Sequence, residues 1–255
     1  MSVLIRNRKN QNVAVLVEKA KENKGLAFVM HGLGGFKEQP HIKTFADAFL
    51  ASGFSVVRFD TTHSFGESDG NYEDATTTNY YEDLEDVIKW AKTQDFYAEP
   101  FFLAGHSLGG ISVGLYAENA PGEVKGVALI STVVSGALSF EAHDSKELEK
   151  WKKNGIRVKE SATKPGQFKT LKWSHMEDRL QHDLLLKVNN LTMPVLLIVG
   201  EQDTSTPPKH QKILYEAIPG EKELHVIKDA PHTFREEAHL HNIKNIFLEW
   251  IQKHA

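Results

Sequence analysis

A serine stands between glycines in Gly105-His-Ser-Leu-Gly109. Much later an aspartate closes Gly200-Glu-Gln-Asp203, and a histidine lies within Lys228-Asp-Ala-Pro-His-Thr-Phe234. A serine hydroxyl is a poor nucleophile near neutral pH. It becomes a good one when an imidazole takes its proton and a carboxylate fixes the tautomer of that imidazole. Ser107, Asp203 and His232 supply these three groups in the chain order expected when the serine sits on a sharp strand-to-helix turn. The chemistry they point to is acyl transfer.

Each assignment has a rival. Ser107 has the residue type of a helix N-cap, and Asp203 has that of a cap for the turn that follows it. Glu201 is the alternative acid, but it lies nearer the strand end and reaches less far across. Asp229 caps its local turn or replaces Asp203. Six histidines follow Asp203. His225 lies within a strand pattern, and His210, His239, His241 and His254 fall on helical patterns, where a solvated face is the simplest role. His232 alone occupies the loop after the last strand, where a general base over the sheet edge belongs.

An oxyanion needs two donors. One is the backbone N–H of Leu108, the residue after the serine. The other is the N–H of Leu33, in the loop His31-Gly-Leu-Gly-Gly35 that follows an early strand. His31 is expected to brace that loop, and His106 to pack against neighbouring strands.

The elements that must position these groups are legible as short apolar runs. They are Val13-Ala-Val-Leu-Val17, Leu26-Ala-Phe-Val-Met30, Phe54-Ser-Val-Val-Arg-Phe59, Phe101-Phe-Leu103, Val124-Lys-Gly-Val-Ala-Leu-Ile130, Pro194-Val-Leu-Leu-Ile-Val199 and Lys222-Glu-Leu-His-Val-Ile227. The middle runs are almost wholly apolar, as parallel strands covered on both faces require. Helical patterns at 78–93, 208–217 and 234–253 alternate with them, so an α/β fold with a mostly parallel sheet is expected. Residues 135–191 break the rhythm. They contain a charged helix at 146–153, a hairpin of Ile156-Arg-Val-Lys-Glu160 and Gln167-Phe-Lys-Thr-Leu171, and a helix at 175–188. The expected division is a core of residues 1–134 and 192–255 with a cap insertion at 135–191. Trp151, Phe168, Trp173 and Met176 form a small private core there or line a pocket.

Composition sets the outer bounds. The 255 residues carry a net charge of −4 and no cysteine. Nucleic-acid binding is therefore not expected, and thiolate chemistry and disulfides are excluded. Thirteen histidines are present without an HExxH or similar spacing, so no metal is expected. The N-terminal MSVLIRNRKNQN lacks the apolar run of a signal peptide, and no later run approaches transmembrane length. A cytoplasmic protein without membrane contact is the expectation.

The HGLGG loop, the GHSLG elbow, the GEQD turn and the Pro231-His232 pair together resemble the α/β-hydrolase superfamily over nearly the whole chain. Phe59-Asp60 and Gly66-Glu-Ser-Asp-Gly70, followed by an acidic helix, are similar to small bacterial carboxylesterases. The cinnamoyl and feruloyl esterases of that group carry a short cap between the sixth and seventh core strands. The resemblance implies an α/β-hydrolase fold, namely a twisted sheet with helices on both faces and a small cap. It also implies a serine carboxylic-ester hydrolase, with no cofactor and a small-molecule ester as partner. Thioesters and amides suit the same triad, and a ligand-binding protein of the same fold is the reading from another class. Two features depart from the pattern. The loop Asp60-Thr-Thr-His-Ser-Phe-Gly66 is longer and poorer in glycine than usual, and Leu108 stands where feruloyl esterases commonly have glutamine. His63 and Phe65 rim the acyl or alcohol pocket or else pack the loop, and Trp173 is a third candidate for substrate contact.

Overall fold

The computed structural model describes residues 2–160, 166 and 168–255. Its elements in chain order are β1 (Ser2–Arg6), β2 (Asn12–Glu18), β3 (Leu26–Met30), α1 (Pro40–Ala51), β4 (Ser55–Phe59), α2 (Thr77–Ala91), β5 (Phe101–His106), α3 (Leu108–Asn119) and β6 (Val124–Ile130). An excursion follows, with α4 (Gly136–Glu141), α5 (Ser145–Asn154), β7 (Ile156–Glu160), β8 (Phe168–Lys172) and α6 (Ser174–Arg179). The chain then closes with β9 (Val195–Gly200), α7 (Pro208–Ala217), β10 (Lys222–Ile227) and α8 (Glu237–His254).

Eight strands form one sheet in the order β1-β2-β4-β3-β5-β6-β9-β10. The β1–β2 and β2–β4 pairs are antiparallel, and the remaining pairs are parallel. After β3 the chain first adds β4 on one side and then β5 on the other. The crevice at such a reversal, beyond the carboxyl ends of the strands, is where open α/β sheets bind ligands.

Side-chain alternation explains the two layers of helix. Phe28, Leu103, Leu129 and Leu197 face one side and meet α2, α3 and the excursion. Val29, Ala104, Ala128 and Ile198 face the other side and meet α1 and α8. On that second side Phe247 of α8 stacks on Phe45 of α1 with ring centroids 5.1 Å apart, and its edge meets Phe49. The excursion returns to its own start. Gly136 N donates to His182 O at 2.9 Å and Leu184 N to Val134 O at 3.0 Å, so both ends are tied beside the sheet.

Several expectations are corrected here. β1 and α1 escape the periodicity reading. β1 is an edge strand with only Ile5 buried, and its order comes from its register with β2, a pairing that local pattern does not encode. The helix expected at 175–188 stops at Arg179, and α8 begins at Glu237 while Phe234 fills the core from a loop. The hairpin pairs Ile156 with Lys172, one residue past the expected end, while its turn at 161–165 and Gln167 lie outside the described residues. Phe168 is 68% exposed and serves neither core nor pocket. His210 and His239 are buried rather than solvated; His239 stands one turn before Ile243 on the inward stripe of α8. The side chain of His254 is likewise covered, with its ring 5.6 Å from that of Trp250. Among the described residues no helix is long and apolar enough to cross a membrane, and no group of three or more His, Asp or Glu is placed to hold a metal ion.

The stacked phenyl rings between α1 and α8 give a direct test of this packing. Phe247→Ala should lower the unfolding free energy by about 3–5 kcal/mol, because burial is lost and a cavity opens. Urea denaturation followed by circular dichroism measures it.

Candidate active site

β5 runs straight into α3 with one residue between them, and that residue is Ser107, at φ 56° and ψ −113°. The region is costly for a residue with a side chain and persists only where surrounding contacts enforce it. Here the Ser107 N–H donates to Ile130 O at 2.9 Å, and its carbonyl accepts from Ile111 N at 3.2 Å and Val133 N at 3.3 Å. The glycines two positions away on each side are required by close approach. A Cβ at Gly105 would collide with the backbone of Gly109, and one at Gly109 with the carbonyl of His31.

His232 Nε2 lies 3.0 Å from Ser107 Oγ, and His232 Nδ1 lies 2.8 Å from Asp203 Oδ2. The carboxylate accepts a hydrogen bond from Nδ1–H, which leaves Nε2 as the acceptor for the serine hydroxyl. Asp203 is fully engaged. Its Oδ1 accepts from Ser205 N and Thr206 N, each at 2.9 Å, and the Thr206 hydroxyl lies 2.9 Å from its Oδ2. Burial alone would push the Asp203 carboxyl up. The hydrogen bond and charge of His232, with the Thr206 donors, outweigh it and hold the carboxyl well below the usual range. Glu201 has another task, accepting from Asp229 N at 3.0 Å.

His106 does more than pack. Its Nε2 donates to the carbonyl of His232 at 2.9 Å, so the residue beside the serine also holds the loop that carries the imidazole. Burial, then the neighbouring His41 and His232, keep His106 well below its ordinary pKa, which suits a neutral donor. The acid turn is tied to the same loop by Gln202 N donating to Ala230 O at 2.9 Å.

The loop after β3 closes over the serine. A Cβ on Gly32 would stand 3.0 Å from Ser107 Cβ. Within this loop Gly35 N donates to Gly32 O at 2.9 Å, Gly34 N to the Tyr80 hydroxyl at 3.1 Å, and that hydroxyl to Gly32 O at 3.2 Å. The Leu33 N–H donates to nothing among the described residues. Leu108 N begins α3, where helix geometry supplies no intrahelical acceptor. His31 braces the loop as expected: Thr61 N donates to its Nε2 at 3.1 Å. Beneath it, buried Asp60 binds Lys37 through both backbone and Nζ at 2.6 and 2.7 Å, fixing the long loop after β4 to the loop after β3.

Ser107 and His232 open onto a cavity of about 240 Å³ that Leu33, Trp151, Met176, Arg157, Arg179, His143 and His175 also line. The three candidates for substrate contact are absent from its wall. His63 Nδ1 binds Asn71 at 3.1 Å, Phe65 stacks on Tyr72 at 4.6 Å, and Trp173 packs edge-on against Trp151 at 5.6 Å. Trp151 and Met176 belong both to the core and to the cavity wall, so the two roles offered for them coincide. The Leu108 side chain is buried in the core. Sequence reasoning passed over Arg157, Arg179, His143 and His175, because no motif marks them and only the excursion's path brings them here.

The depressed Asp203 carboxyl has a consequence for stability with a defined sign. A group ionising more easily folded than unfolded stabilises the fold above its unfolded pKa, about 3.9 for aspartate, and that contribution is lost as pH falls through the lower folded value. The stability difference between the native protein and Asp203→Asn should therefore hold steady near neutrality and shrink on acidification below about pH 4. Urea melts of both proteins across that range measure it.

Comparison with known proteins agrees with the geometry. The family model described as serine aminopeptidase, S33 matches residues 21–171. An uncharacterized 31.7 kDa protein from the traX-finO intergenic region of Escherichia coli is 28% identical over 261 residues, covering 90% of this chain and 91% of its own. The thermostable monoacylglycerol lipase of Bacillus sp. (strain H-257) is 24% identical over 234 residues, covering 87% and 89%. Among solved structures, Est1E from Butyrivibrio proteoclasticus with ferulic acid bound superposes with a TM-score of 0.83 at 21% identity, covering 100% of this chain and 98% of that one. Alpha/beta hydrolase domain-containing protein 10 from mouse gives 0.82 at 20% identity, with both chains covered completely. These structural likenesses show the shared fold. Since the matched segment spans more than half of the sequence, the chain belongs to the α/β-hydrolase family described as serine aminopeptidase, S33.

Proposed function

We propose that the protein is a serine carboxylic-ester hydrolase that works through an acyl-enzyme. One observation carries the reading: Asp203, His232 and Ser107 form a hydrogen-bonded chain of 2.8 and 3.0 Å that ends on a hydroxyl facing a cavity. Ser107 Oγ attacks the ester carbonyl carbon while His232 Nε2 takes its proton. The resulting oxyanion is received by the Leu33 and Leu108 N–H groups, and Asp203 stabilises the imidazolium without taking a proton. The alcohol leaves with the proton held on His232. A water then gives a proton to His232 as it attacks the acyl group, and Ser107 recovers its proton as the acid departs.

The names of relatives lend support. One is a monoacylglycerol lipase, and Est1E holds ferulic acid. At about 240 Å³ the cavity lies just below the usual range for small-molecule sites, which favours a compact ester. Residues 135–191 act in this reading as a cap, since Trp151, Arg157, Met176 and Arg179 from that excursion wall the cavity opposite the sheet. The family description favours a second substrate class for the same triad, a peptide or other amide bond.

A panel of short-chain aryl esters, thioesters and aminoacyl anilides, run on the native protein and on Ser107→Ala, separates these readings. The ester turnover of the native protein should fall by about 10⁴-fold or more in the variant. A fluorophosphonate should label Ser107 in the native protein, read by intact mass. Turnover retained by Ser107→Ala would remove the triad assignment. An unlabelled native protein would instead favour a ligand-binding role for the fold.

A further inference from the structure

The cavity beside Ser107 is lined by two guanidinium groups that make no ion pair among the described residues. Arg179, on α6, is 7% exposed. Its Nη1 donates to Ser139 Oγ at 2.8 Å and its Nη2 to His175 Nε2 at 2.5 Å, while Nε has no partner. His175 accepts that bond as a neutral ring, because its Nδ1 donates to Ala75 O at 2.7 Å. Burial, then the charge of Arg179, keeps His175 well below its ordinary pKa. The second group, Arg157, comes from β7. Its Cζ stands 3.9 Å from the ring centroid of Trp151, and it makes no ion pair among the described residues.

The acids closest in charge are occupied elsewhere. Glu147 binds Lys159 at 3.2 Å, and Asp178 accepts from Thr78 N at 3.0 Å and faces His182 at 3.7 Å. Residues 1, 161–165 and 167 include no acidic side chain. His143, which lines the cavity together with His41, His106 and His232, binds Ser139 O through Nδ1 at 2.8 Å, and burial pushes its pKa down. Burial, then the neighbouring arginine, likewise pushes Arg179 down to about 10. Holding the buried Arg179 beside a half-buried second cation without a paired carboxylate is costly, and a ligand that brings the opposite charge recovers the cost. The planar forks of arginine suit the paired oxygens of a carboxylate or a phosphate.

We infer that the substrate carries an anionic group, a carboxylate or a phosphate ester, which Arg157 and Arg179 receive in the same cavity where Ser107 meets the acyl carbon. The inference rests on the hydrolase reading for the position of the scissile bond only. A structural role for Arg179, bridging α4 to α6 through Ser139 and His175, would leave selectivity for charge untouched. That difference is measurable.

Three matched comparisons place the charge differently. 4-Nitrophenyl hydrogen adipate against 4-nitrophenyl methyl adipate sets a carboxylate on the acyl side. 4-Acetoxybenzoate against its methyl ester sets it on the alcohol side, and 4-acetoxyphenyl phosphate against its dimethyl ester offers phosphate there. In at least one pair the anionic member should have a kcat/KM about tenfold or more above its neutral partner. Arg157→Gln and Arg179→Gln should each lower that anionic-to-neutral ratio by about tenfold, as expected for loss of a charge-assisted contact. Arg179→Lys should retain part of the preference. Because both substrates are measured on one preparation, partial misfolding of a variant does not move the ratio. Equal or better use of the neutral member in every pair, or a ratio unchanged in both glutamine variants, would overturn the inference. Calorimetric binding of the same pairs to Ser107→Ala keeps the two readings apart. Anion preference there that is lost on adding Arg157→Gln supports the charged pocket even if Ser107→Ala still turns over substrate. No preference there sinks it even if Ser107 proves to be the nucleophile.

Discussion

The site is organised around the backbone of Ser107. A side-chain-bearing residue held at φ 56° costs on the order of 1–3 kcal/mol, so its surroundings must over-determine it. They do so with three backbone hydrogen bonds, to β6, to the loop beyond β6 and to the first turn of α3. The same contacts raise the hydroxyl above the carboxyl ends of the strands and leave the first N–H of α3 without a partner. The tightness of the turn also explains the flanking glycines, because the strand end and the first turn of the helix nearly touch. The raised hydroxyl, the first N–H of α3 and the close packing are thus one local geometry seen from three sides.

The sheet order brings Asp203 and His232 to that point. β5 lies next to β6, β6 next to β9 and β9 next to β10, all parallel, so Ser107, Asp203 and His232 emerge at one edge from separate strand ends. Loops alone would not hold an imidazole to hydrogen-bond accuracy. The His232 loop is pinned twice, by His106 to its carbonyl and by Gln202 to Ala230 O. The first tether uses the buried His106 ring, where a hydrogen bond is stronger and a missing partner is costly.

What was legible in the sequence follows from what is local. Ser107 announces itself because a five-residue turn has to obey steric rules, and Asp203 and His232 because strand ends can be read from apolar runs. The parallel core was clear for the same reason. β1 was not, since an edge strand with a single buried side chain owes its order to its partner. α1 was missed although it buries Ile42, Phe45 and Phe49, and the reading of α8 as having a solvated histidine face failed at His239. Arg157 and Arg179 carried no signal at all. An arginine on a charged segment is ordinary until the path of the chain removes both water and carboxylates from around it. His63, Phe65 and Trp173 illustrate the converse, since residue type suggested contact with a ligand while local packing already engages each of them.

The excursion between β6 and β9 is fastened to the rest of the molecule along its length, with Asp178 accepting from Thr78 N and His175 donating to Ala75 O. Its ends are zipped at Gly136–His182 and Val134–Leu184, and β8 is held to the loop after β4 by Lys172 with Glu73 and Asp74. No residue of the sheet, the elbow or the acid turn belongs to it. Arg157 and Arg179, by contrast, belong to nothing else. In the proposed reading, the groups that would break a bond and the arginines that would select a molecule lie in separable stretches of chain, although Leu33, Gln39 and Thr206 of the core also line the cavity. On that reading, exchange of the stretch between the two fixed points would alter the arginine-bearing wall and leave the Ser107 turn in place.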